Sequence, residues 1–192
     1  GGVDQSKLYR NKGSAEAYAF ESVEDALLGN HKVDIRGADF GDIDHDGDLD
    51  LLACAYGSRL RLFTYSGGSF SEVAESKGLS TSMIYANRCY FADINNDTYP
   101  DIIIARGTPT SGMAPVYYQN DQDGTFTDKT TTVGLTATGN FLDIAPIDYD
   151  LDGDLDLYLA NGSEDESETD YFYENSIADS DSTFTLKSDI GL

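Results

Sequence analysis

The sequence predicts an all-β fold, a β-propeller-like array of about three and a half four-stranded blades, and three observations predict it. An aspartate-rich motif recurs three times, strand-like runs flank each copy, and an aromatic hairpin signature separates one copy from the next. Repeat units of about 50 residues that carry four strands each are the mark of propeller blades, in which every sheet buries its faces against its neighbours.

The motif first occurs as FGDIDHDGDLD, residues 40–50, with aspartates at 42, 44, 46, 48 and 50. It recurs as DINNDTYPD from Asp93 to Asp101 and as DYDLDGDLD from Asp148 to Asp156, so the starts are 51 and 55 residues apart. Short apolar or aromatic runs precede each copy and strand-like runs (LDLLACAYG, PDIIIARG, LDLYLANG) follow it, which makes each copy a loop joining two inner strands. Between the loops lies a second element, an aromatic run, a turn and a Ser/Thr/Phe run closing on Gly-Leu. RLFTYSGGSFSEVAESKGL and VYYQNDQDGTFTDKTTTVGL are the clearest copies, with Gly67-Gly68 and Asp123-Gly124 as the turn residues. A fainter copy opens the chain. The predicted order is therefore an outer hairpin over 7–29, then units of inner plus outer hairpin over about 33–79, 87–135 and 140–192 within one domain. Closed propellers have four to eight blades, so the expectation is an excerpt of a longer protein or a chain that completes its fold with a neighbour. The acidic insertion SEDESETD, residues 163–170, has no apolar spacing and reads as a solvated loop.

Charge narrows the function classes. With 35 acidic against 12 basic residues and a formal net charge of −23, the chain repels nucleic acid and anionic membranes, and cations are its natural counterpart. No apolar run is long enough to span a membrane, and the start GGVDQSKLYR has neither an initiator Met nor a signal-peptide core, so the chain reads as processed or excised. Cys54 and Cys89 lack zinc spacing, and His31 and His45 stand in unrelated positions, so zinc and histidine-based catalysis have no support and no enzyme is expected.

Closely spaced aspartates raise one another's pKa values unless a cation sits among them. Calcium takes six to eight oxygen ligands, and DxDxDGxxD offers side chains at positions 1, 3, 5 and 9 and a backbone carbonyl at 7. In the first loop these are Asp42, Asp44, Asp46 and Asp50 with the carbonyl of Asp48; in the third, Asp148, Asp150, Asp152 and Asp156 with that of Asp154. The second has Asp93, Asn95, Asp97 and Asp101 with the carbonyl of Tyr99, and Thr98 replaces the glycine. Up to three calcium ions are expected, one per loop, with the second bound most weakly. An EF-hand would need a Glu at position 12, where this chain has Ala53 and Leu159.

These residues resemble the FG-GAP or VCBS-type repeats, whose calcium loops occur in integrin alpha-subunit propellers and in bacterial surface proteins. FGDIDHDGDLDLLACAYG and PIDYDLDGDLDLYLANG are similar to the family's inner hairpin, and YYQNDQDGTFTDKTTTVGL to its outer one. The resemblance implies a β-propeller, one calcium per loop, and an extracellular or cell-surface role in adhesion, assembly or ligand display. The implied partners are other copies of the protein, surface proteins or glycans. An open end would favour head-to-tail association into a polymer or fibre; the alternative is a non-catalytic carbohydrate-binding propeller accessory to a secreted hydrolase or lyase.

Cys54 and Cys89 occupy corresponding positions of adjacent hairpins, where they are either free buried thiols or a disulfide suited to an oxidising exterior. Asn96 and Asn161 begin N-x-S/T tripeptides, acceptors for glycosylation in a pathway that performs it, and a glycan on Asn96 would crowd a metal loop. Tyr117, Tyr118, Tyr171 and Tyr173 read as packing between sheets rather than as a sugar-stacking platform.

Overall fold

The computed structural model describes residues 8–14, 18–23, 33–162, 169–178 and 181–187, and among them it has fourteen strands and no α-helix. The first two, β1 (Leu8–Asn11) and β2 (Phe20–Val23), form an antiparallel hairpin of their own. Blade 1 follows as β3 (Asp34–Gly41), β4 (Asp50–Ser58), β5 (Arg61–Ser66) and β6 (Ser69–Glu72). Blade 2 comprises β7 (Ile84–Ala92), β8 (Asp101–Arg106), β9 (Val116–Asn120) and β10 (Phe126–Asp128), and blade 3 β11 (Phe141–Ile147), β12 (Asp156–Asn161), β13 (Tyr171–Ala178) and β14 (Asp181–Lys187). The result is a partial β-propeller of three antiparallel meanders and one outer hairpin.

The three blades share one register. Leu51 of blade 1 opposes Phe63, Ile102 of blade 2 opposes Tyr118, and Leu157 of blade 3 opposes Tyr173. The second strands of blades 1 and 2 are covered on both faces, which is why β8 reads as the unbroken run Ile102-Ile103-Ile104, fully buried, instead of alternating. Leu52, Cys54, Leu62, Cys89, Ile102 and Tyr118 belong to the core between blades 1 and 2. Ile103, Tyr117, Phe141, Leu159, Tyr173 and Phe184 belong to the core between blades 2 and 3. A smaller cluster joins Leu8 of the hairpin to Leu51, Phe63 and Phe70 of blade 1. Three of the four tyrosines are thus core residues, and Tyr171 is partly buried edge-on against Phe141. One departure concerns the sheets: β4 and β7 are long enough to meet beyond their own hairpins, pairing Tyr56 with Tyr85 and fusing blades 1 and 2 into one sheet.

Two buried asparagines stitch each blade to the loop before it. Asn120 Nδ2 donates to the carbonyl of Ile43 at 2.9 Å, and Asn175 Nδ2 to that of Ile94 at 3.0 Å. A backbone bond repeats nearby, from Phe126 N to Lys77 O and from Phe184 N to Val133 O. It brings the chains so close that a Cβ on Gly78 would lie 2.3 Å from Phe126 O, and one on Gly134 2.8 Å from Phe184 O. Glycine is required at both, since φ there is +88° and +89°. The turn chemistry differs between hairpins. Gly67 and Gly68 both have positive φ in a two-residue turn, whereas the Asp123-Gly124 turn spans Asp121–Thr125 with positive φ at Gln122 and Gly124.

Truncating Asn120 leaves two carbonyls and two turn N–H groups without their side-chain partner. Asn120→Ala is expected to lower stability by about 3 kcal/mol or more, read as a shifted urea midpoint at unchanged m-value.

Candidate metal centres

The three aspartate loops connect the inner strands of the three blades, and the last aspartate of each is the anchor. Asp50, Asp101 and Asp156 open the second strand of their blades and are almost fully buried. One oxygen of each accepts the N–H of Ile43, Ile94 or Tyr149 near the loop start. The other accepts the N–H of Tyr65, Asn120 or Asn175 on the third strand. Burial pushes the Asp50 carboxyl up, with smaller contributions from the charges of Asp44 and Asp46. Burial likewise raises Asp101 to about 7, against the opposing pull of hydrogen bonds from Asn120 N, Tyr117 Oη and Ile94 N. The anchored oxygens of Asp50 and Asp156 each keep a second lone pair that a cation can use, whereas Asp101 Oδ2 accepts from both Ile94 N and Tyr117 Oη.

In the first loop, Asp42 accepts the N–H groups of Asp46 and Gly47, and Asp46 that of Asp48. The turn aims carboxylate oxygens of Asp42, Asp44 and Asp46 to within 4.8 Å of one another. The third loop brings Asp148, Asp150 and Asp152 together in the same way. Gly47 and Gly153, at φ +91° and +98°, make the bend. Asp148 Oδ1 is buried with no hydrogen-bond donor, and partial desolvation together with the Asp152 charge raises the Asp150 carboxyl. An acceptor oxygen shut away from water among like charges fits a hard divalent cation, and the all-oxygen donor set suits calcium. Asp154 gives its carboxylate to Ile177 N and Asn96 Nδ2, which leaves its main-chain carbonyl as the donor it can offer the loop.

The second loop is knit by its own amides. Asp93 accepts from Asp97 N and Thr98 N, as its counterpart does in the first loop. Asp97 Oδ2, however, accepts from two side-chain amides, Asn95 Nδ2 at 3.0 Å and Gln122 Nε2 at 3.1 Å. These N–H dipoles stand where the other loops converge only acidic groups. Thr98 adopts φ +76°, a left-handed conformation unfavourable for a β-branched residue. Asn95 could be read from the sequence as a weak point; Gln122, 27 positions away on another turn, could not.

The fourth position of every loop is left-handed and, in the first two, reaches the next loop. His45 stacks on Tyr99 with ring centroids 4.0 Å apart and pairs its Nε2 with Thr98 O at 3.0 Å. Asn96 Nδ2 donates to Gly153 O and to Asp154. Leu151, the third member, is 86% exposed. The amide of Asn96, a glycosylation acceptor by sequence, is therefore engaged between two loops, and that of Asn161 donates to Thr169 O. Cys54 and Cys89 are free, buried thiols in contact across the blade 1–blade 2 core, and burial pushes the Cys89 thiol well up. Residues 163–168 of the acidic insertion lie outside the described residues, as does His31.

Calorimetric titration with calcium is expected to resolve two tight sites, removed singly by Asp44→Asn and Asp150→Asn. Asp97→Ala should leave both in place; loss of the tightest site in that variant would reverse the ranking. The double substitution Asn95→Asp, Thr98→Gly, which restores the carboxylate and the permissive residue, is expected to add binding at the second loop.

Among the described residues no helix is long and apolar enough to cross a membrane. No curated protein matches the chain. A family model described as FG-GAP-like repeat matches twice, over residues 42–104 and 93–159, so that the matched region takes in all three loops and more than half of the chain. The pairing of matched segments with successive blades agrees with the shared register, and the chain belongs to the family of FG-GAP-like repeats.

Proposed function

We propose that this chain is a calcium-stabilised structural module of the extracellular or surface type, which holds ions in its first and third loops and associates with further copies of itself. The single observation that carries the calcium reading is the convergence of two aspartate triads, one of them with a buried, donorless oxygen at Asp148. FG-GAP repeats often bind calcium and are typical of extracellular and surface proteins, and their propellers are generally structural, non-catalytic modules. Asp42, Asp44, Asp46 and Asp50 would hold one ion with the carbonyl of Asp48, and Asp148, Asp150, Asp152 and Asp156 the other with that of Asp154. The ion supplies positive charge that offsets carboxylate repulsion; the protein residues supply the turn that fixes their spacing.

Thermal melting in calcium and in chelator tests this. At free calcium about 100 times the dissociation constant, each site is expected to add roughly 2.7 kcal/mol, and Asp44→Asn should remove one site's share. An identical melting curve in chelator would refute the structural role of the ion.

A polar cleft between blades 2 and 3 supports a second reading, glycan binding. It measures about 500 Å³ and is lined by Thr110, Ser111, Asn140, Asn161 and Tyr171 among others. Titration with neutral oligosaccharides is expected to perturb Tyr171, and no response at millimolar sugar would dismiss it.

A further inference from the structure

Each of the two inner blade junctions is made by the same three residues of the following outer hairpin. In blade 2 they are Tyr118, Asn120 and Phe126, and in blade 3 Tyr173, Asn175 and Phe184, with Asn120 paired to Phe126 and Asn175 to Phe184. All six are at least nine-tenths buried against the preceding blade. The asparagine of each donates to the carbonyl of the second residue in the preceding loop, Ile43 or Ile94.

The hairpin β1–β2 carries the same three residues in the same register, Tyr9, Asn11 and Phe20, with Asn11 paired to Phe20. The start of its turn matches that of blade 2: Asn11 Oδ1 accepts the N–H of Gly13 as Asn120 Oδ1 accepts that of Gln122. Yet Tyr9 is 53% and Phe20 65% exposed, and Asn11 stands in solvent. Blade 1 shows the converse. There the aligned position is Tyr65, not asparagine, and blade 1 packs on a hairpin that brings no aspartate loop in this sequence. An asparagine thus stands where a loop-bearing blade lies in front of it and is absent where none does. Asn11 is the one that lacks its partner among the described residues.

The complementary face is at the other end of the molecule. In blade 3 the second loop residue is Tyr149, where Ile43 and Ile94 are fully buried; Tyr149 is 54% exposed and packs edge-on against Phe172, and Ile147 at the end of β11 is about half exposed. Its carbonyl has the place of the two that accept the asparagine amides. We propose that a second copy of this chain docks its β1–β2 hairpin on the open face of blade 3, with Asn11 Nδ2 donating to Tyr149 O and Tyr9 and Phe20 covering Ile147 and Tyr149. This names the surfaces for the self-association in the proposed function and rests on that part of it. The contact continues an interface the molecule already builds twice. Because the two surfaces differ, it is heterologous and propagates from copy to copy.

Sedimentation velocity and particle imaging of the 192-residue protein in calcium at physiological salt test the proposal. A concentration-dependent series of assemblies growing one copy at a time is expected. Asn11→Asp keeps the oxygen that caps the turn but loses the donor, and should weaken association at least about tenfold without changing the melting curve. Ile147→Glu should do the same from the other surface. An equimolar mixture of Asn11→Asp, Phe20→Glu protein with Ile147→Glu protein should stop at dimers, since one live hairpin meets one live face. A wild-type protein that stays monomeric, variants that assemble like wild type, or a mixture that yields no dimers would each overturn the docking. Calcium heats on the same samples report the metal reading separately, so a calcium-binding monomer sinks the docking alone.

Discussion

Three buried carboxylates, Asp50, Asp101 and Asp156, hold the architecture together. Each fastens its loop to the third strand of the same blade through two backbone N–H groups, so the inner and outer hairpins of a blade cannot shift independently. A carboxylate removed from water is costly unless both oxygens are satisfied, and here satisfaction requires both hairpins in place. The loop geometry, the aiming of the other aspartates and the position of the next blade's asparagine follow from that attachment. The aspartate loops are extensions of the blade framework, not additions to it.

The repeats are equal in backbone register and unequal in chemistry. The first and third loops converge oxygens, the second balances its Asp97 with the amides of Asn95 and Gln122, and His45 and Asn96 hand contact from each loop to the next. The second loop thus offsets its Asp97 charge with protein amides, and the ions proposed for the first and third would offset theirs. The two solutions are linked, because the second loop contacts the first through Thr98 and Tyr99 and the third through Asn96.

Much of the fold was legible in the residues. The aspartate spacing marked the loops, the flanking apolar runs marked the inner strands, and the Gly-Leu closures marked the outer hairpins, because strict repetition exposes a pattern that one copy would hide. The anchoring of Asp50, Asp101 and Asp156 was not legible, since ligand and anchor aspartates look the same in a motif. Nor was the role of Asn120 and Asn175, which depends on a carbonyl 77 or 81 residues earlier in the chain. The Gln122 contact to Asp97 and the fusion of blades 1 and 2 through β4 and β7 also arise only when distant segments meet.

The amide-knit second loop has a mechanical consequence. A joint that depends on an ion softens when the ion is withdrawn, whereas one closed by protein amides keeps its stiffness. With the ions proposed for the first and third loops, calcium depletion would loosen this molecule there while the middle loop stays taut. On that proposal the array would behave as a rigid middle segment between two more compliant ends.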